Sequence, residues 1–160
     1  MDSRFRIRPP TAADAHAVTD LVVAFDVEEY GSPDFELDDL LADWGSPGLD
    51  LERDAWVAEL PGGALAAYAA LHFNENVEVY VDAASRGLGI GSELLRRIEK
   101  RAVERAEPGR RVLVGQALSS TNTAGRSLLE RAGYAEVRTY WRMGPLSAHS
   151  TQRVPSQASQ

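Results

Sequence analysis

Apolar and polar residues alternate from Arg4 to Arg8, which predicts a short strand stopped by Pro9-Pro10. Thr11 reads as an N-cap, with Asp14 where a capping box more often carries Glu or Gln. Ala15, Val18, Leu21, Val22 and Phe25 then recur at helical spacing until Gly31-Ser32-Pro33 breaks the pattern. Leu37, Leu40, Leu41 and Trp44 predict a second helix ending at Gly45-Ser46-Pro47-Gly48. Two strands follow, Ala55 to Leu60 and Ala64 to Phe73, joined as a hairpin by Pro61-Gly62-Gly63. Val77, Val79 and Val81 alternate with Glu78 and Tyr80, the period of a half-buried strand. From Ile90 the period changes, and Leu94, Leu95, Ile98 and Ala102 share a helical face that continues to about Glu107. Pro108-Gly109 ends that helix, and Val112 to Ala117 predicts another strand. The cap-forming run Ser119-Ser120-Thr121-Asn122-Thr123 leads into a helix with Leu128, Leu129 and Ala132, stopped by Gly133. Val137 to Met143 alternates once more.

Beyond Pro145 the chain is rich in Ser, Gln and Ala without apolar periodicity. Residues 147–160 are therefore expected to be a disordered tail behind one domain over residues 1–146. The element order, βααβββαβαβ, has an antiparallel first half that passes into βαβ at its centre. The expected class is α/β (α+β), a mixed, mostly antiparallel central sheet with helices on both faces.

Composition narrows the setting. A length of 160 residues suits one domain with a real core, and 44% hydrophobic with 26% charged residues is ordinary for a globular protein. No apolar run is long enough for a membrane span, and Met1-Asp2-Ser3-Arg4-Phe5 does not resemble a signal peptide, so a cytoplasmic setting without membrane partners is expected. The absence of cysteine excludes disulfides and thiolate metal sites, and three scattered histidines argue against zinc; no metal is expected. A formal net charge of −7 argues against a nucleic-acid partner. The excess is concentrated between Asp26 and Asp54, which reads either as a solvated surface or as a vestibule attracting a cationic substrate.

Candidate chemistry centres on Arg86-Gly87-Leu88-Gly89-Ile90-Gly91-Ser92, between the third valine of the alternating strand and the long helix. Helix N-terminal amides are unpaired, the loop is open, and the helix dipole favours an anion by about 0.3–2 kcal/mol. A dinucleotide fingerprint fails: counted from Gly87 its last glycine falls on Ser92, and from Gly89 on Leu94. The next strand also ends Val114-Gly115-Gln116, without the acidic residue that fingerprint requires. A Walker loop fails because Gly91-Ser92 has no lysine between its members. Arg-x-x-Gly-x-Gly remains, filled by Arg86, Gly89 and Gly91.

Val79 to Asp82 together with Arg86 to Leu95 resembles the acyl-CoA-binding motif of the GNAT superfamily of N-acetyltransferases. Asn122 followed by Leu128-Leu129-Glu130-Arg131-Ala132-Gly133-Tyr134 is similar to the family's second motif, and the element order matches over roughly Phe5 to Met143. The resemblance implies splayed central strands holding acetyl-CoA as co-substrate. It places the pantetheine arm on the backbone around Val79, Tyr80 and Val81, and the pyrophosphate on the amides from Gly87 through Leu88, Gly89, Ile90 and Gly91 to Ser92. Arg86 is then either a surface arginine or a phosphate contact, and Asn122 a helix cap or a cofactor contact. Asp43 to Asp50 with Trp56-Val57-Ala58-Glu59 is also similar to lobes of two-domain, mycothiol synthase-like members.

Acetyl transfer to an amine needs a base for the nucleophile, a polarised carbonyl and a proton for the thiolate. Family position implies Glu75 as the carboxylate near the amine, with Glu78 second; in its Asn74-Glu75-Asn76 context Glu75 also reads as an exposed turn residue. Leu129 stands where many members carry the tyrosine that protonates the thiolate, and Tyr134 occupies a place usually filled by a core aromatic. The leading expectation is an acetyl-CoA-dependent N-acetyltransferase acting on a primary amine of a small molecule or peptide, as a monomer or a homodimer using residues near Trp141. A non-catalytic acyl-CoA-binding domain is the alternative, and a phosphate-loop nucleotide binder the third reading.

Overall fold

The computed structural model describes residues 4–73, 76–109, 115–119, 122–142 and 148–155. β1 (Arg6–Arg8) runs into a 3-10 turn (Ala12–Asp14), then α1 (Ala15–Tyr30), α2 (Leu37–Trp44), β2 (Ala55–Glu59), β3 (Leu65–Leu71) and β4 (Val77–Val81). A second 3-10 turn (Ala83–Ser85) precedes α3 (Ile90–Arg105), which is followed by β5 (Gln116–Ser119), α4 (Thr123–Arg131), β6 (Tyr134–Arg142) and β7 (Ala148–Pro155). The capping chemistry at Thr11 is present: its backbone N–H donates to Asp14 Oδ2 at 2.7 Å. Gly31 closes α1 in the left-handed region, at φ 81°.

β1 to β4 form an antiparallel meander in the order β1-β2-β3-β4. Alternation along these strands assigns each face its own helices. On one face Trp56, Ala58, Ala67, Ala69 and Leu71 meet Ile90, Leu94 and Ile98 of α3. On the other, Val57, Tyr68 and Ala70 meet Ala15 and Val18 of α1 and Leu40 of α2. The two-sided burial explains why β3 reads Leu-Ala-Ala-Tyr-Ala-Ala-Leu: both faces are inside, and small residues admit helices close on either side. Truncating Leu94 or Ile98, each fully buried, would cost about 2–5 kcal/mol.

Several boundaries differ from the sequence reading, and β6 begins at Tyr134, three residues before the expected Val137. α3 ends at Arg105, a turn-end short of Glu107. The strand expected over Val112 to Ala117 begins, in the described chain, at the Gly115 bridge, with β5 at Gln116–Ser119; residues 110–114 lie outside the described residues. The larger difference is at the C-terminus, where Ala148–Pro155 is a strand and not a disordered tail. β7 lies between β5 and β6 in a second antiparallel sheet of order β5-β7-β6. Its ladder runs from Gln116↔Arg153 to Ser119↔Ser150 on one side and from Tyr134↔Pro155 to Arg142↔Ala148 on the other. A polar sequence becomes a strand there because two neighbouring edges offer backbone partners on both sides.

The acidic stretch also divides. Asp54 is buried and accepts from Arg101 Nε of α3 at 2.7 Å and from the Asp50 backbone N–H at 3.0 Å. It is a structural anchor between the β2 entry and α3, and not part of a solvated face.

Candidate active site

Among the described residues the two sheets are joined by one bridge. Asn76 and Gly115 form an isolated parallel bridge, and the Val77 N–H donates to the Gly115 carbonyl at 2.8 Å. Past it β5 pairs with β7, and β4 is left with one edge facing a cleft of about 380 Å³. Val79 and Val81 of β4, the loop from Ser85 to Ser92, and Asn122, Leu128 and Leu129 from the α4 side line this cleft.

Which backbone groups face it follows from the ladder. Successive residues of a strand point their N–H and C=O groups to opposite edges. The Asp82 N–H donates to the Ala66 carbonyl of the β3 side at 2.8 Å, and the Val77 N–H points the other way, to Gly115. Glu78 and Tyr80 therefore turn their backbone groups to β3, while those of Val79 and Val81 face the cleft. An extended amide-bearing chain laid along β4 would complete the sheet.

At the cleft's far end α3 begins. Gly87 and Gly89 take φ of +83° and +85°, and a Cβ on either would meet nothing within 4 Å. What glycine supplies there is left-handed backbone, and it is the turn it permits that aims the first amides of α3 outward. Gly91 differs, because a Cβ there would sit 2.7 Å from Leu128 Cδ2, so it makes room for α4. Arg86 lines the cleft, but its guanidinium is engaged by Glu28 of α1 through two bonds of 2.7 and 2.8 Å. That pairing holds the Glu28 carboxyl below its usual range. Asn122 caps α4, its Oδ1 accepting the Gly125 N–H at 2.8 Å, and it also lines the cleft.

The side chains of Tyr80 and Leu88 point elsewhere. Tyr80 is turned from the cleft by side chain and backbone alike, and packs edge-on against Phe25 with ring centroids 5.1 Å apart. The Leu88 side chain packs against the α3-side core and lines a groove with Phe5 and Ile7. Leu129 is 1% exposed, in a small core with Leu95 and Tyr134. Tyr134 is buried, its hydroxyl has no hydrogen-bond partner among the described residues, and burial pushes its pKa up. Neither supplies an acid to the cleft.

Glu75, the first candidate base, lies outside the described residues, as do the side chain of Trp141 and Met143. Glu78 is described. It sits one residue past the Val77–Gly115 hydrogen bond, on the α1–α2 face shared with Tyr80 and beside, not within, the lining of the cleft. Its Oε2 is 2.9 Å from His72 Nε2, and its Oε1 accepts from the Tyr80 hydroxyl at 3.4 Å. Asp43 of α2 is raised above its usual pKa by burial and by the Glu78 charge. Trp44 Nε1 donates to Tyr68 Oη at 3.1 Å, and the Tyr68 ring lies parallel to that of Tyr80. The sequence reading missed His72, Asp43, Trp44 and Tyr68. The available signal was the β3 period, which puts Tyr68, Ala70 and His72 on Glu78's face.

Among the described residues no group of His, Asp or Glu is arranged to hold a metal ion, and no helix is long and apolar enough to cross a membrane. The model of the Acetyltransferase (GNAT) family matches residues 15–134. A GCN5-related N-acetyltransferase from Sphaerobacter thermophilus superposes with a TM-score of 0.76 at 32% identity, over 88% of this chain and 46% of its own. The chain thus spans less than half the length of that relative. The Salmonella typhimurium protein yncA, solved with its cofactor acetyl-CoA, matches at TM-score 0.70 and 20% identity over 98% and 96% of the two chains. Spermidine N-acetyltransferase from Vibrio cholerae, in complex with CoA and spermine, matches at 0.70 and 13%, over 96% and 95%. No curated protein matches the sequence.

Proposed function

Because this chain belongs to the GNAT family of acetyltransferases, we propose that it moves an acetyl group from acetyl-CoA to a primary amine of a small molecule or peptide. The observation that carries this reading is the open edge of β4, whose Val79 and Val81 backbone groups face a cleft that ends on the first turn of α3. A pantetheine arm is an extended chain with two amides and suits the first, and a pyrophosphate suits the second. The cleft residues fit acetyl-CoA, which brings the activated thioester; the protein supplies position, and a base for the amine.

Glu78 is the base this reading selects. With the pyrophosphate at the α3 end, the reactive end of the arm points back along β4 toward Val77, where the strands rejoin. From Val81 to Val77 that is roughly 13 Å at 3.3 Å per residue. Asp43 and Glu78 give this end a negative potential that draws in an ammonium acceptor. The amine gives up a proton to Glu78, its nitrogen bonds to the acetyl carbon, and the carbon–sulfur bond breaks. With Leu129 in the cleft wall, the leaving sulfur departs as a thiolate and takes its proton from the amine nitrogen or water.

Thiol release from acetyl-CoA in the presence of an amine panel is the test, with Glu78→Gln beside Glu75→Gln. The expected result is amine-dependent release, reduced about 10²- to 10⁴-fold in Glu78→Gln. Buried Leu129 favours a second reading, a domain that binds acyl-CoA without turning it over; tight CoA binding by calorimetry with no release on any acceptor would establish that instead.

A further inference from the structure

His72 is a titratable group paired with Glu78 that the steps above do not use. We propose that His72 is a positioning residue that takes the acceptor's proton from Glu78 and passes it to solvent, so that Glu78 and His72 act as a relay. The proposal rests on the acetyl-transfer reading.

The His72 backbone is fixed on two sides, and its ring meets Glu78. The His72 N–H donates to the Asn76 carbonyl at 2.9 Å, closing the turn between β3 and β4. Arg105, at the end of α3, donates Nη1 to the Leu71 carbonyl at 3.1 Å and Nη2 to the His72 carbonyl at 3.2 Å. Ala70 stands directly across from Glu78, which leaves His72 on the diagonal of the same face, where a long side chain reaches across a small one. Nε2 meets Glu78 Oε2 at 2.9 Å. The His72 side chain is 23% exposed, so the ring has one edge on the carboxylate and an outlet to water.

The chemistry gives a reason for the pair. An ammonium becoming an amide sheds two protons. In this scheme one passes through Glu78 to His72 and on to solvent, and the other follows the electron pair to sulfur, giving CoASH. A carboxylate is a weak base toward an ammonium, whereas an imidazole lies nearer neutral pH, where proton transfer is best matched. The groups acting on His72 are Glu78 of β4, Asp43 of α2 and Arg105 of α3, while Tyr80 donates to Glu78 and Tyr68 lies within reach of the Glu78 charge. The Glu78 hydrogen bond is the largest influence and raises the imidazole pKa above 6.5; Asp43 adds to it, while burial and Arg105 act against it. A relay needs the neutral ring, so kcat rises with pH through a pKa above that of an ordinary histidine.

The test is the pH profile of kcat, at saturating acetyl-CoA and amine, from about pH 5.5 to about pH 9 for wild type and His72→Gln. Glutamine keeps a donor to Glu78 and removes the titration. The expected result is a fall in kcat of about 10- to 100-fold above the imidazole pKa, disappearance of that limb, and an unchanged Kd for CoA. An equal loss at every pH with the limb in place, or no loss, overturns the relay and leaves acetyl transfer standing. No thiol release by wild type at any pH overturns both. Proton NMR of the His72 ring supplies a readout without turnover: its pKa falls in Glu78→Gln if the pair exists in solution, and an unmoved pKa overturns the proposal.

Discussion

Gly89 and Gly91 sit two residues apart, one capping α3 and the other in its first turn, and serve different physical needs. Gly89 adopts φ +85° with open space around it, so a side chain there meets backbone strain and no neighbour. Gly91 has ordinary backbone and a tight neighbour, the flexible end of Leu128. Gly89→Ala should destabilise the fold by about 1–2 kcal/mol and weaken CoA binding, because the turn that aims the α3 amides shifts. Gly91→Ala should stay within about 1 kcal/mol of wild type, since Leu128 can rotate and alanine favours the helix. Urea denaturation and calorimetry with CoA check both. The Arg-x-x-Gly-x-Gly spelling made the loop legible, but it could not separate a glycine needed for its backbone from one needed for its size. Arg86 carries the same lesson: an arginine lining the cleft is spoken for by Glu28, a residue remote in sequence.

At the scale of elements, most helices and strands were readable because alternation and helical spacing report one-sided burial. β1 shows what such periodicity omits. It is a three-residue edge strand whose attachment depends on Arg8, which donates Nε to Glu59 Oε2 at 2.6 Å and reaches Asp14 through two bonds of 2.8 and 3.0 Å. Arg8 holds the Asp14 carboxyl below its usual range. A depressed carboxyl stabilises the fold fully above its unfolded pKa of about 3.9, and that stability is lost as pH falls through the folded value. Asp14→Asn should therefore lower stability at pH 7 by about 1–3 kcal/mol and flatten the loss of stability below about pH 4. Guanidinium titrations at several pH values measure it. Glu99 has the opposite sign: burial raises its pKa, so acid relieves its cost.

For the whole molecule, the C-terminal strand matters most. β7 supplies the partner on one side of β5 and on one side of β6. A variant ending at Ser147 exposes both edges at once, and its thermal midpoint should fall by more than about 10 °C with reduced cooperativity, as followed by circular dichroism. The cleft wall opposite β4 belongs to this half, so the same truncation should also abolish CoA binding.

The sequence by itself determined the local periods, the breaks between them, and the loop spelling that pointed to an acyl-CoA site. These are properties of neighbours along the chain, where side-chain spacing is fixed by the backbone repeat. Only the tertiary structure decided that a Ser- and Gln-rich segment is a central strand, because its partners are backbone groups that carry no residue signature. It likewise decided that β4 and β5 touch at Asn76 and Gly115 and then part, that Tyr80 faces away from the cleft, and that His72 stands diagonally across from Glu78. Each of these depends on register between strands, which alternation constrains to a face but not to a partner.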